Sequence, residues 1–189
     1  MSRLRSPLTS STLTGVASFG HIAVGLAAGR AYTPRGKPAR DAMVLFSILS
    51  MWPDVDVVAF GLGIPYGAPF GHRGATHSIL AALLVGAASV LVARRTRLPV
   101  AKTALFATTV ALSHPLLDTL TYGGGLGCAL LWPFSSHRFW APVRFIPIAP
   151  IGLGMLSPTG LSVVMAEVLL FGPFWVYAVW PRSRAARPR

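Results

Sequence analysis

Residues 77–95 read His-Ser-Ile-Leu-Ala-Ala-Leu-Leu-Val-Gly-Ala-Ala-Ser-Val-Leu-Val-Ala-Arg-Arg, an apolar run with a histidine at one end and paired arginines at the other. A hydrocarbon core about 30 Å thick is crossed by about 20 mostly apolar residues in a helix. Four more stretches approach that length, over 14–31, 42–62, 103–122 and 161–180. The 14–31 and 77–93 stretches are short and rich in Gly and Ala, which suits close helix–helix packing better than lipid contact. Pro34 and Pro38 end the first stretch, Pro99 marks the loop before the fourth, and Pro158 and Pro181 bracket the fifth. The fold class predicted is all-α, a polytopic membrane helical bundle of about five spans. It forms a single domain over 1–181, followed by a basic tail at 182–189.

Composition points the same way. The 189 residues are 53% hydrophobic and 12% charged, with a mean hydropathy of +0.60. A soluble domain carries about 25% charged residues, so disorder, a coiled coil and a compact soluble enzyme are excluded. The formal net charge of +12 does not indicate nucleic acid, because the basic residues stand in short clusters between apolar runs. With five spans, 12 of the 17 basic residues fall on one side. The positive-inside rule makes that side cytoplasmic, with the N-terminus outside and the C-terminus inside. Arg3 and Arg5 before an apolar run mimic a signal peptide, but Gly15, Gly20, Gly25 and His21 interrupt the run and predict that it is retained. The single cysteine, Cys128, excludes an intrachain disulfide and a Cys-based zinc finger.

Most of the few ionisable residues gather on the non-cytoplasmic half. His21 lies on the first span, and Asp54 and Asp56 follow the helix-breaking Trp52-Pro53. His72 and His77 precede the third span in His72-Arg73-Gly74-Ala75-Thr76-His77-Ser78, and His114 and Asp118 stand four apart on the fourth. At 1.5 Å per residue, Asp54, His114, Asp118 and His77 come out roughly 18–26 Å from the cytoplasmic edge, with His21 deeper. An ionisable group at bilayer depth costs about 2.5–3.5 kcal/mol, and nearby arginines are too few to pair every carboxylate. A shared divalent cation accounts for the grouping, since imidazole and carboxylate suit Zn²⁺, Mn²⁺ or Fe²⁺. His114 and Asp118, at i and i+4, share one helix face. Asp54 and Asp56 could instead cap a helix. Asp41 is placed as an N-cap, His137 as ordinary loop polarity, and Glu167 as an isolated acid in the last span with no partner in view. Trp132, Phe134, Phe139 and Trp140 read as an interfacial aromatic belt.

The ordered series Gly20-His21, Trp52-Pro53-Asp54-Val55-Asp56, His72 to Ser78, His114-Pro115-Leu116-Leu117-Asp118 with Thr119 and Thr121, and Trp132-Pro133-Phe134 resembles the YdjM-like family of inner-membrane proteins, predicted metal-dependent hydrolases. The resemblance covers about residues 20–140, and the string from His72 to Ser78 is its most specific part. It implies an inner-membrane, multi-pass protein with a metal site. A more distant similarity to zinc-dependent phospholipase C and the P1-type nucleases implies His21, Asp54 or Asp56, His72, His114 and Asp118 as ligands, with Asp118 a bridge. The His-x-x-x-Glu pair that holds a third metal there does not occur after Asp118, so one or two ions are expected, zinc foremost.

The expected metal set is therefore His21, Asp54, Asp56, His72, His77, His114 and Asp118. The expected catalytic residues are Asp54, or Asp56 if Asp54 is a ligand, as the carboxylate that takes a proton from water, and Arg73, whose guanidinium suits a pair of phosphate oxygens. Thr76, Ser78 and Thr119 are expected to orient the ligands, and Gly123, Gly124, Gly125 and Gly127 to let backbone approach a headgroup. The activity predicted is hydrolysis of a phosphoester, of lipid type, through a metal-activated water. A non-enzymatic metal-binding or metal-transporting membrane protein is the alternative, as is a bundle merely stapled by its ion. The expected partners are the lipid bilayer and a lipid or phosphoester substrate, and no nucleic acid.

Overall fold

The computed structural model describes residues 18–148, 150 and 152–182. The start of the first apolar stretch and nearly all of the basic tail lie outside the described residues. Among the described residues seven α-helices carry the fold: α1 (Ser18–Tyr32), α2 (Arg40–Met51), α3 (Val58–Gly61), α4 (Ile79–Thr96), α5 (Val100–Thr119), α6 (Pro158–Leu170) and α7 (Gly172–Val179). The one sheet among the described residues pairs β1 (Thr121–Tyr122) with β2 (Ile146–Pro147) in parallel.

By length and composition, three helical stretches among the described residues can cross a membrane: Arg40–Gly61, Ile79–Thr96 and Val100–Thr119. The pair α6 and α7 makes a fourth if its bent halves are one span. The described part of α1 has 15 residues, which at 1.5 Å each reaches only about 22 Å.

Local chemistry explains the interruptions. Pro53 has no N–H to donate, so the end of α2 tightens into a 3-10 segment, Trp52–Val57, before α3 resumes. The expected single segment over 161–180 is two helices bent by 65°. Pro173, at the first turn of α7, cannot donate to the carbonyl four residues back. Ser157 caps α6 by accepting the Gly160 N–H. Asp41 sits in the first turn of α2 rather than at its cap, which is Ala39. There its charge still favours the positive helix end.

The expected close packing is present where α1 meets α2. A Cβ at Gly25 would collide with the backbone of Phe46 and Ser47, and one at Gly29 with that of Ala42 and Met43. This small-xxx-small spacing lets two backbones touch.

Burial is inverted relative to a soluble protein. Leu45, Ile48, Leu62, Leu84, Leu91 and Leu105 are exposed, while His21, Asp56, His72, Arg73, His77, His114, Asp118 and Glu167 are buried. Apolar side chains outward and ionisable ones inward is the arrangement a bilayer selects.

Candidate metal centre

The break at Pro53 prepares one ligand directly. The Ser50 carbonyl would receive the 3-10 bond from residue 53, which proline cannot give. His114 Nδ1 donates to that carbonyl instead, at 2.7 Å. The bond fixes the tautomer and leaves Nε2 bare toward the bundle interior.

There His114 Nε2 lies 3.2 Å from Asp54 Oδ1 and 3.8 Å from Asp118 Oδ2. His77 Nε2 lies 3.6 Å from the same Asp54 oxygen and 3.4 Å from the same Asp118 oxygen. All four atoms are buried and none makes a well-formed hydrogen bond, although Asp118 Oδ2 also lies 3.1 Å from Arg73 Nε. Buried polar atoms without partners are rare and need a cause. A tetrahedral ion with bonds of about 2.0–2.2 Å holds its donors roughly 3.3–3.6 Å apart. The four contacts of 3.2–3.8 Å match that spacing. Asp54, His77, His114 and Asp118 together can therefore hold a metal ion.

Asp56 is finished differently, although only two residues away. Its Oδ1 accepts from His72 Nδ1 at 2.6 Å. Its Oδ2 accepts from the Arg73 backbone N–H at 3.1 Å and the Thr76 hydroxyl at 2.6 Å, and it lies 3.1 Å from His77 Nδ1. A carboxylate behind an imidazole whose other nitrogen faces the centre orients the ring and raises its basicity. Asp56, His72 and His77 also form a second group within metal-binding reach, but direct hydrogen bonds occupy its carboxylate. His72 Nε2 remains buried and without a partner, with Phe60 and Tyr66 against its ring.

His21 backs Asp118: its Nε2 is 3.3 Å from Oδ1, and its ring stacks on His114 at 3.8 Å between centroids. Counting residues from Arg30 set His21 too deep. The end of α1 is Tyr32, whose carbonyl accepts from Lys102 Nζ, so α1 and α5 are level there and His21 is level with His114.

Arg73 pairs with the Asp118 oxygen that faces the two histidines, Nε to Oδ2 at 3.1 Å. It donates Nη1 to Thr121 Oγ1 at 3.1 Å, and its Nη2 has no partner. A backbone φ of 60°, uncommon for a residue with a Cβ, aims this side chain inward. The Arg73 N–H on Asp56 and its carbonyl accepting from Ala129 N hold that conformation. The guanidinium also lies over the Trp140 ring, 5.5 Å from its centroid, so Trp140 packs on the site as well as on the surface.

Other expected helpers sort by what they touch. Thr76 reaches Asp56 as expected. Ser78 instead caps α4, accepting the Ala81 N–H, and Thr119 donates to the Leu116 carbonyl of its own helix. His137 is exposed and bonds through its N–H to Ser135. Gly127 packs against the Phe139 backbone, which pairs with Cys128. Burial pushes the Cys128 thiol up to about 12, so it stays a neutral thiol. Glu167 has a partner after all: its Oε2 accepts the Phe19 and Gly20 N–H groups at 2.9 and 3.2 Å. A carboxylate there satisfies free donors and the positive end of α1.

Arg138 is a backbone fastener rather than a partner of the site's carboxylates. It donates to the carbonyls of His72, Tyr66 and Ala68, tying the 66–72 loop down. An arginine amid loop aromatics gave no sign of this beyond its charge.

Comparison with known proteins places the chain among inner membrane proteins. The chain is 40% identical over 171 residues to the inner membrane protein YbcI of Escherichia coli K12, covering 87% of this chain and 96% of that one. No solved structure matches. The profile of the YdjM inner membrane protein family matches residues 16–185, so the whole bundle, centre included, is spanned by it, and the chain belongs to that family.

Proposed function

We propose that the protein is a membrane-embedded, metal-dependent hydrolase of a phosphoester, of lipid type. The observation that carries the reading is the convergence of four buried donors, from Asp54, His77, His114 and Asp118, within reach of one ion. Two imidazoles and two carboxylates favour Zn²⁺, with Mn²⁺ or Fe²⁺ the alternatives, and the geometry favours one ion. The bundle has five spans, α1 and the α6–α7 pair included. By the distribution of Lys and Arg, the N-terminus is outside, the C-terminus inside and the centre on the non-cytoplasmic side.

Asp54, His77, His114 and Asp118 would hold the ion, which would supply Lewis acidity and, with a position open to water beyond these four donors, a water acidic enough to ionise near pH 7. The chain's own residues do the rest. Asp54 Oδ2 has no partner and takes the proton of the attacking water. Asp56, saturated by its donors, keeps His77 in register. Arg73 Nη2 is free to hold a phosphoryl oxygen. His21 and Arg73 fix Asp118 from two sides.

The core beneath the centre supports this reading over transport. It is built of Ala23, Ala27, Phe46, Ala107, Val110 and Ala111, whereas an ion path calls for polar residues continuing through the membrane. The test is metal analysis of the detergent-purified protein, then a screen of phosphoester and acyl-ester lipids with and without chelator. One bound divalent ion and chelator-sensitive phosphoester cleavage are expected. A protein that binds metal stoichiometrically and cleaves none of these esters would end the proposal.

A further inference from the structure

We infer that substrate reaches the centre sideways from the bilayer, with one acyl chain of a phospholipid lying in the groove between α1 and α2. This rests on the hydrolase reading and adds the route and the part of the substrate that is recognised.

The groove has a volume of about 670 Å³, within the roughly 300–1,000 Å³ of ordinary small-molecule sites. Its walls are apolar, formed by Ile22 and Leu26 on α1 and by Val44, Ile48 and Met51 on α2, and its one ionisable lining residue is Asp54. That carboxylate is also the one that faces His114 at 3.2 Å, so the groove and the centre share a wall. From Val44 to Asp54 the helix rises about 15 Å, which gives the groove a deep apolar end and an upper end at the metal donors.

The groove runs along a stretch apolar enough to cross a membrane, Arg40–Gly61. Val44 and Ile48 are 50% and 64% exposed along it, so hydrocarbon is its natural filling. An amphiphile with its tail along this wall has its polar group at Asp54. A second apolar groove, between α1, α5 and α7, has no carboxylate or imidazole in its lining, so a chain lying there would not lead to the metal donors.

The test plugs the deep end with Val44→Trp, on an exposed helix face some 15 Å from the donors. For wild type and variant, kcat/KM is measured on a sixteen-carbon diacyl phospholipid in mixed micelles and on its four-carbon, water-soluble homologue. The ratio of long to short is expected to fall at least tenfold in the variant. An unchanged ratio, with the wild type cleaving both lipids, overturns the groove while leaving the hydrolase reading intact.

If the wild type cleaves neither lipid, the hydrolase reading fails, and the groove is judged by cross-linking in vesicles of a phospholipid with a diazirine at its acyl terminus. Adducts concentrated on Leu26, Val44 and Ile48, and lost in Val44→Trp, support the groove. Adducts spread equally over the outer faces of α4 and α5 refute it.

Discussion

At one end of α1, His21 stands among buried imidazoles and carboxylates, several of whose atoms have no hydrogen-bond partner. At the other end, every named cation has found a carbonyl. Lys102 donates to Tyr32 O at 2.6 Å, Arg30 to Ala178 O at 3.0 Å, and Arg182 to the carbonyls of Lys37, Arg30 and Thr33. Both ends carry ionisable groups, and they differ in what those groups lack. Charge satisfied by backbone holds helices together, whereas donors left bare in a dry interior await something from outside the chain.

The comparison breaks most decisively at Asp118. Asp118→Ala removes one donor of the group and strands Arg73 and His21. Metal content should fall to background and ester cleavage by at least about a hundredfold, since the ion and its activated water go together. Retention of one equivalent of metal would mean that the bare atoms at this end are not its ligands.

A graded response is expected one step outward. Asp56→Asn keeps the shape but removes the negative charge behind His77. Metal affinity should weaken about 10–100-fold, as for other carboxylates behind a ligating histidine, with the helical content unchanged by circular dichroism. A loss as complete as that of Asp118→Ala would put Asp56 itself on the ion and reverse the roles of the two aspartates.

How much of this was legible in sequence follows from the same distinction. Spacing alone brought Asp54, His77, His114 and Asp118 to one level, because helical rise is fixed and the basic clusters gave a common origin. The division of labour between Asp54 and Asp56 was not legible. Both flank the same break, and only the hydrogen bonds from His72, Thr76 and Arg73 tell them apart. Glu167 looked isolated because its partners are backbone N–H groups about 150 residues away, which carry no side-chain signature. Ser78, read as an orienting group, was the more ordinary helix cap, with its Ala81 partner three residues on. The α6–α7 bend had a visible signal in Gly172-Pro173, hidden by the uniform hydropathy around it.

Packing between the two ends offers a third, smaller probe. Gly25→Leu forces apart α1 and the Phe46–Ser47 backbone. The cost should be about 1–3 kcal/mol, as for other overpacked contacts, seen as earlier unfolding in detergent. Metal affinity should fall in proportion to the displacement of His21 and not vanish, because none of the four bare donors sits on α1.

The smallest effect belongs to the satisfied end. Lys102→Ala deletes the bond to Tyr32 O and the ammonium lying over the Tyr32 ring, 5.1 Å from its centroid. A partly exposed charge–carbonyl bond is worth about 1 kcal/mol, or roughly 2–4 °C of melting temperature at this chain length. Metal stoichiometry and affinity should match wild type, since the Tyr32 carbonyl left behind can bind water at the bundle rim. If Lys102→Ala lost metal, the ends would be coupled through α1 and α5, and a charge at the far rim would be part of the centre's construction rather than a fastening.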